Sequence, residues 1–174
     1  MNACESILGL SPYQGGKPID ELARELGLKN ITKLASNENP LGVSSAVKEA
    51  VFNSLSSINR YPDGNCFELK KAISEKLSVT TNMISLGNGS NELLELIARV
   101  FVSKKNDEII FSEYAFVVYP LVTQALGATA KVSPAADYGH DLNSMLSLIS
   151  KNTKLIYVAN PNNPTGTLLS DDEL

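Results

Sequence analysis

The sequence predicts an α/β fold, a largely parallel β-sheet with helices on both faces, preceded by an N-terminal helical arm. Three observations predict it. From Met83 onward, short apolar runs alternate with amphipathic stretches of helical length. The turns that follow the apolar runs are rich in Gly, Asn and Pro. Up to about Ser78 the pattern is instead helical segments broken by polar turns.

In chain order, Ile19, Leu22, Ala23 and Leu26 recur at helix spacing, and Gly27 supplies the stop. A second helix is expected over Ser45–Leu55. A third is expected over Phe67–Leu77, with Leu69, Ala72, Ile73 and Leu77 on one face. Between them, Arg60-Tyr61-Pro62-Asp63-Gly64 reads as a turn, because Pro fixes φ and Gly tolerates positive φ. Strands are expected at Met83–Leu86, Glu108–Phe111, Thr129–Val132 and Leu155–Ala159. The helices between them are expected at Asn91–Val102, Val117–Leu126 and Leu142–Ile149. Short strands joined by helical crossovers imply parallel pairing, and ligands of such sheets bind at the carboxyl ends of the strands. His140 is expected in a turn with Asp141, in a structural role. Near the end, Ser170 and Glu173 have the spacing of a capping box that announces a further helix, which makes the chain read as a fragment.

Composition narrows the function classes. The chain has 174 residues, 43% hydrophobic and 20% charged, a globular profile. With 15 basic and 19 acidic residues the formal net charge is -4, so no concentrated positive field suits nucleic acid, and a small molecule is the expected partner. No apolar stretch is long enough for a membrane span, and Met1–Leu10 lacks a basic leader, so a cytoplasmic location is expected. Cys4 and Cys66 have no metal-like spacing and read as free thiols, and no metal site is expected.

Two loops carry chemistry. Gly87-Asn88-Gly89-Ser90-Asn91-Glu92 follows an expected strand and opens an expected helix. Backbone N–H groups at a helix N-terminus, with the helix dipole and glycines that permit close approach, suit a phosphate. Glu92 occupies the third-glycine position of a dinucleotide fingerprint, and no Lys-Ser/Thr pair makes a P-loop. The alternative is a glycine turn with a helix cap. Asn160-Pro161-Asn162-Asn163-Pro164-Thr165-Gly166 also follows an apolar run, and its prolines stiffen a backbone that could present an amide at a fixed angle. The alternative there is a decorated surface turn.

Asn160–Gly166 resembles the signature loop of the fold-type I aminotransferases, which use pyridoxal 5'-phosphate (PLP). The resemblance implies that Asn163 bonds the cofactor's phenolic oxygen and that Gly89, Ser90 and Asn91 lie under its phosphate. Leu10-Ser11-Pro12-Tyr13-Gln14, Ala35–Gly42 and Asn59–Asp63 are similar to segments of the histidinol-phosphate aminotransferases. They imply substrate-lining roles for Tyr13 and Asn37, and a Tyr61 that reaches across a homodimer to the neighbour's cofactor. Within Glu113–Tyr119 the family's aromatic spacing assigns the ring-stacking residue to Phe116, with Tyr119 the second aromatic and Tyr114 the fallback. The resemblance further implies residues 1–45 as an arm with part of a small domain, and 46–174 as the first, incomplete part of the large PLP-binding domain. The implied reaction exchanges an amino group between histidinol phosphate and 2-oxoglutarate. The family's Schiff-base lysine, its ring-nitrogen carboxylate and its substrate arginine all lie beyond Gly166. Lys104, Lys105 and Lys151 precede the signature loop and read as solvated charges, so no catalytic residue is assigned and the chain alone is expected to be inactive. Related PLP enzymes, such as an aromatic aminotransferase or a threonine-phosphate decarboxylase, share the cofactor loops, and a non-catalytic phosphate-binding module is the reading from another class.

Overall fold

A computed structural model describes residues 3–13 and 15–174; Gln14, the last residue of the Ser-Pro-Tyr-Gln segment, lies outside them. The chain divides into two compact units, Met1–Tyr13 with Ser85–Leu174, and Gln14–Ile84. The expected boundary at 45/46 falls inside the second unit.

The first unit is built on a three-stranded parallel sheet of order β2-β1-β5, with β1 at Glu108–Ser112, β2 at Thr129–Ser133 and β5 at Thr153–Ile156. β1 is central and every one of its residues is buried, so its middle, Ile109–Phe111, is apolar on both faces. Ile109 and Phe111 point to one face and join a core with Ala98, Val102, Val118, Val122 and Tyr157. These residues come from α5 (Ser90–Phe101), its C-terminal cap, α6 (Val118–Ala125) and the extension of β5. Ile110 alternates to the opposite face and is fully buried too. On that side α7 (Leu142–Ser147), which carries the buried Met145, touches β1 and β2. The expected helices on both faces are present. A short α1 (Glu5–Leu8) lies along α6, where the Ser6 hydroxyl donates to the Ala125 carbonyl at 3.3 Å.

Three expectations need correction. Met83–Leu86 is not a strand: Thr81–Met83 forms a 3-10 turn, and Ile84 is extended without a ladder partner. Apolar residues alone do not make a strand when neither sheet edge pairs with them. β5 starts two residues before the expected Leu155, although Tyr157 N–H still donates to Ile110 O at 2.9 Å beyond its end. His140 sits in a strand, not a turn. β3 (Ala135–Ala136) and β4 (Gly139–His140) form a tight antiparallel hairpin whose two turn residues, Asp137 and Tyr138, both have positive φ. Asp141 then caps α7, accepting from Ser144 N–H at 2.9 Å.

The second unit holds α2 (Ile19–Leu26), α3 (Ser45–Ser54) with a 3-10 turn at Leu55–Ser57, and α4 (Phe67–Leu77), as the periodicity predicts. Gly27 ends α2 at φ 65°, a left-handed conformation that glycine adopts without strain. Asp63 starts α4, its carboxylate accepting from Asn65 and Phe67 N–H at 2.9 and 3.0 Å. Those two bonds hold Asp63 below the ordinary carboxylate pKa. None of this unit's described residues is buried, so its helices stand on capping and local pairs rather than on a core of their own.

Candidate cofactor-binding site

The first candidate loop is positioned by Gly89, the N-cap of α5, at φ 93° and ψ 165°. Only glycine occupies that region readily, and a Cβ there would meet nothing within 4 Å, so the restriction is conformational and the approach is open. Ser90 and Asn91 follow as the first helical residues, exposed and with no side chain capping the helix. The first-turn N–H groups have no intrahelical partner. Glu92 bends back to accept from Asn88 N–H at 2.5 Å, one residue before the N-cap. This ties its carboxylate to the chain before the cap. The loop therefore offers an anion the donor set of a helix N-terminus.

Asn163 lies on a loop clamped on either side. Asn160 donates through Nδ2 to Leu169 O at 2.9 Å and accepts from Leu169 N–H at 2.8 Å. Asn162 is buried, and its Nδ2 reaches Tyr114 O at 3.0 Å and Thr165 Oγ1 at 2.7 Å. Its backbone exchanges bonds with Thr167 O and Gly166 N–H, both at 2.8 Å. The half-buried Asn163 side chain makes no hydrogen bond among the described residues. Its neighbours supply the rigidity, and its own amide is left for another partner. Sequence reading singled out the second asparagine and missed the first as the clamp. The available signal was Asn followed three residues later by Thr, a pair that closes such loops on itself.

The aromatic residues join the loops. Phe116 is half-buried before α6 and meets Tyr119 edge-to-face, with ring centroids 6.0 Å apart. Tyr119 stacks on Tyr157 at 4.3 Å and 4°. Tyr157 OH then donates to Leu94 O at 2.9 Å, one turn into the helix that Ser90 opens. Burial raises the pKa of both phenols, so Tyr157 stays a donor well into alkaline conditions. Tyr114 is more exposed and instead leans on Tyr138 at 5.2 Å. The elements bearing Ser90, Phe116 and Asn163 are thus linked within one unit: α5 to Tyr157, Tyr157 through Tyr119 to Phe116, and the Asn163 loop to the loop after β1 through Asn162. Tyr13 is exposed at the end of the first unit's N-terminal segment. Asn37, at φ 48°, and the fully exposed Tyr61 belong to the second unit.

A groove of about 500 Å³ lined by Ser6, Lys105, Pro120, Gln124 and Ala128 lies at the amino ends of the strands. Loop geometry marks the opposite end. The polar group at the amino end is Glu108, which accepts from Ser150 Oγ at 2.6 Å and faces Lys131 at 3.6 Å. Those contacts, with the Ser150 bond the largest, hold it below the ordinary carboxylate pKa and tie the three strands together.

The model of the family described as aminotransferase class I and II matches residues 29–174. Histidinol-phosphate aminotransferase 2 of Haemophilus influenzae (strain 86-028NP) is 56% identical over 172 residues, covering 99% of this chain and 47% of that protein. Histidinol-phosphate aminotransferase 1 of Idiomarina loihiensis is 58% identical over 165 residues, 95% of this chain and 45% of that protein. The crystal structure of histidinol-phosphate aminotransferase from Sinorhizobium meliloti, in complex with pyridoxal-5'-phosphate, superposes with a TM-score of 0.85 at 25% identity over 97% of this chain and 45% of that one. A Thermus thermophilus aspartate aminotransferase double mutant reaches 0.81 at 20% identity over 99% of this chain and 48% of that one, a likeness of fold alone. The chain spans about half the length of the curated relatives it matches. With a family model over most of its length and a fold shared with solved members, the chain belongs to the aminotransferase class I and II family.

Proposed function

We propose that this chain is the N-terminal part of a PLP-dependent aminotransferase of histidine biosynthesis, which converts histidinol phosphate and 2-oxoglutarate to imidazole acetol phosphate and glutamate. The observation that carries the reading is the 56% identity to a histidinol-phosphate aminotransferase over 99% of this chain. When bound, PLP supplies the electron sink for chemistry at the substrate's α-carbon.

The residues present fit that cofactor. The N–H groups of Ser90 and Asn91, with the Ser90 hydroxyl, hold the phosphate at the positive end of α5, and Gly89 keeps the approach clear. Phe116 lies against the ring face, backed by Tyr119. Asn163 donates from Nδ2 to the phenolic oxygen and stays neutral at every working pH. Tyr13 and Asn37 are substrate-binding residues, and Tyr61 reaches the cofactor phosphate of a second subunit in a homodimer. The enzyme works in the cytoplasm, and no helix among the described residues is long and apolar enough to cross a membrane. On this reading Lys104, Lys105 and Lys151 are solvated charges, and none of them is the lysine that holds the cofactor covalently.

Borohydride reduction with PLP followed by intact-mass analysis tests this on the purified chain. The expected result is saturable PLP binding, competed by inorganic phosphate, with no stoichiometric covalent attachment and no turnover of histidinol phosphate. Single-site attachment with turnover would place the lysine within these residues and refute the reading of the chain. Full-length protein that transfers the amino group of another donor, and not that of histidinol phosphate, would refute the substrate.

A further inference from the structure

We propose that His140 is a positioning residue for Asn163, acting through the backbone from which the Asn160–Gly166 loop springs. The inference rests on the PLP reading above. It starts from the β3–β4 hairpin, which touches the loop at both of its roots. On one side, His140 Nε2 lies 2.9 Å from Ala159 O, the residue directly before the loop. A carbonyl oxygen can only accept, so Nε2 is the donor of this bond. Nδ1 is buried and has no hydrogen-bond partner among the described residues. An apolar residue would fill β4 without orphaning a ring nitrogen. The observed arrangement retains that orphan for the sake of the Ala159 bond.

On the other side, Gly139 lies against Thr167, the residue after the loop: a Cβ at 139 would sit 3.2 Å from Thr167 Oγ1 and 3.3 Å from Ala136 O. A side chain at 139 would require Thr167 or the hairpin itself to give by a few tenths of an ångström. The hairpin tip continues the contact, with Tyr138 leaning on Tyr114, whose carbonyl accepts from Asn162 Nδ2. Asn162 closes the loop through its bonds to Thr165, Gly166 and Thr167, so its direction is set where it is rooted. His140 sets that root. Asn163 makes no bond of its own among the described residues to correct an error there.

A purely structural histidine and a positioning one predict different outcomes in a double-mutant cycle. The readouts are the dissociation constant for PLP by equilibrium dialysis and the absorption band of the bound pyridine ring, which reports the hydrogen bond at its phenolic oxygen. His140→Leu is expected to weaken PLP binding about tenfold and to shift the band in the direction Asn163→Ala shifts it. In the Asn163→Ala background the same change should cost less than about twofold. His140→Gln, which can place an amide donor near Nε2, should restore both readouts. If His140→Leu does not fold, Gly139→Ala is used in its place in the cycle, because its Cβ crowds Thr167 Oγ1 at 3.2 Å and leaves the imidazole intact. Equal losses in the two backgrounds, or no loss from either hairpin variant, would overturn the proposal and leave the cofactor reading standing. Failure of the unsubstituted chain to bind PLP at all would instead overturn the cofactor reading and this inference with it.

Discussion

At the scale of single residues, the neighbouring asparagines of one loop separate stability from binding. Asn162 is buried and its amide makes two hydrogen bonds, whereas the Asn163 side chain makes none among the described residues. Asn162→Ala should therefore lower unfolding free energy by about 1–3 kcal/mol, the cost of orphaning buried partners. Asn163→Ala should leave stability within about 0.5 kcal/mol of the parent and weaken PLP binding. Urea denaturation beside PLP titration checks the pair; equal destabilisation by both would mean that the second asparagine is also a structural clamp. The tyrosine stack gives a pH test with a definite sign. Burial raises the pKa of Tyr157 and Tyr119 above 10.0 in the folded chain. The folded state therefore retains these protons better than the unfolded one. This stabilisation is complete below pH 10 and is lost as pH rises through the folded values. Melting temperature should hold up to about pH 10 and then fall, and the fall should be shallower in Tyr157→Phe.

At the scale of elements, Gly89 decides whether α5 can present its N-terminus. Gly89→Ala forces a side chain into a backbone region that essentially only glycine occupies, at φ 93°, with a cost of about 1–3 kcal/mol. No atom within 4 Å would clash with the new Cβ, so the cost is backbone strain, which the chain relieves by moving the loop. PLP affinity should drop together with stability, and a variant that is destabilised but binds normally would show that the phosphate is held elsewhere. The elements legible in the sequence are those marked by local chemistry: Gly27 after α2, the Pro-Asp-Gly turn before α4, the Gly loop that opens α5 and the Asn-Pro loop after β5. Elements that depend on distant partners were not legible. Met83–Leu86 has the composition of a strand but no ladder to join. The β3–β4 hairpin has no Asn-Gly signal, since Asp137 and Tyr138 take the two positive φ angles, and tyrosine is a rare choice there. From sequence, His140 reads as part of a turn with Asp141. Its bond to Ala159 spans 19 residues, a separation no local pattern reports.

At the scale of the molecule, the sequence pattern and the burial diverge in one unit. Apolar residues of α3, of the segment after it and of α4 stand open to solvent: Phe52 is 73% exposed, Ile58 72% and Leu77 62%. An amphipathic helix gains most of its stability by burying its apolar face, and no described residue of the Gln14–Ile84 unit is buried. In the other unit, β2 and β5 are both edges of a three-stranded sheet, and an unprotected edge is a template for pairing. The two features act together, because exposed apolar helix faces and free strand edges are each relieved by contact with another chain. The chain alone should therefore self-associate at tens of micromolar and bind a hydrophobic dye such as ANS. Light scattering coupled to size-exclusion chromatography measures the first and fluorescence the second. Phe52→Glu with Ile58→Lys should reduce both signals, because charge on the α3 face and the turn after it removes the apolar surface without touching the sheet. A residual association that persists in that variant, and falls when a lysine is placed at the exposed Ile156 of β5, would assign the remainder to the strand edge. A monodisperse monomer that binds no dye would show that these faces are covered within a single chain.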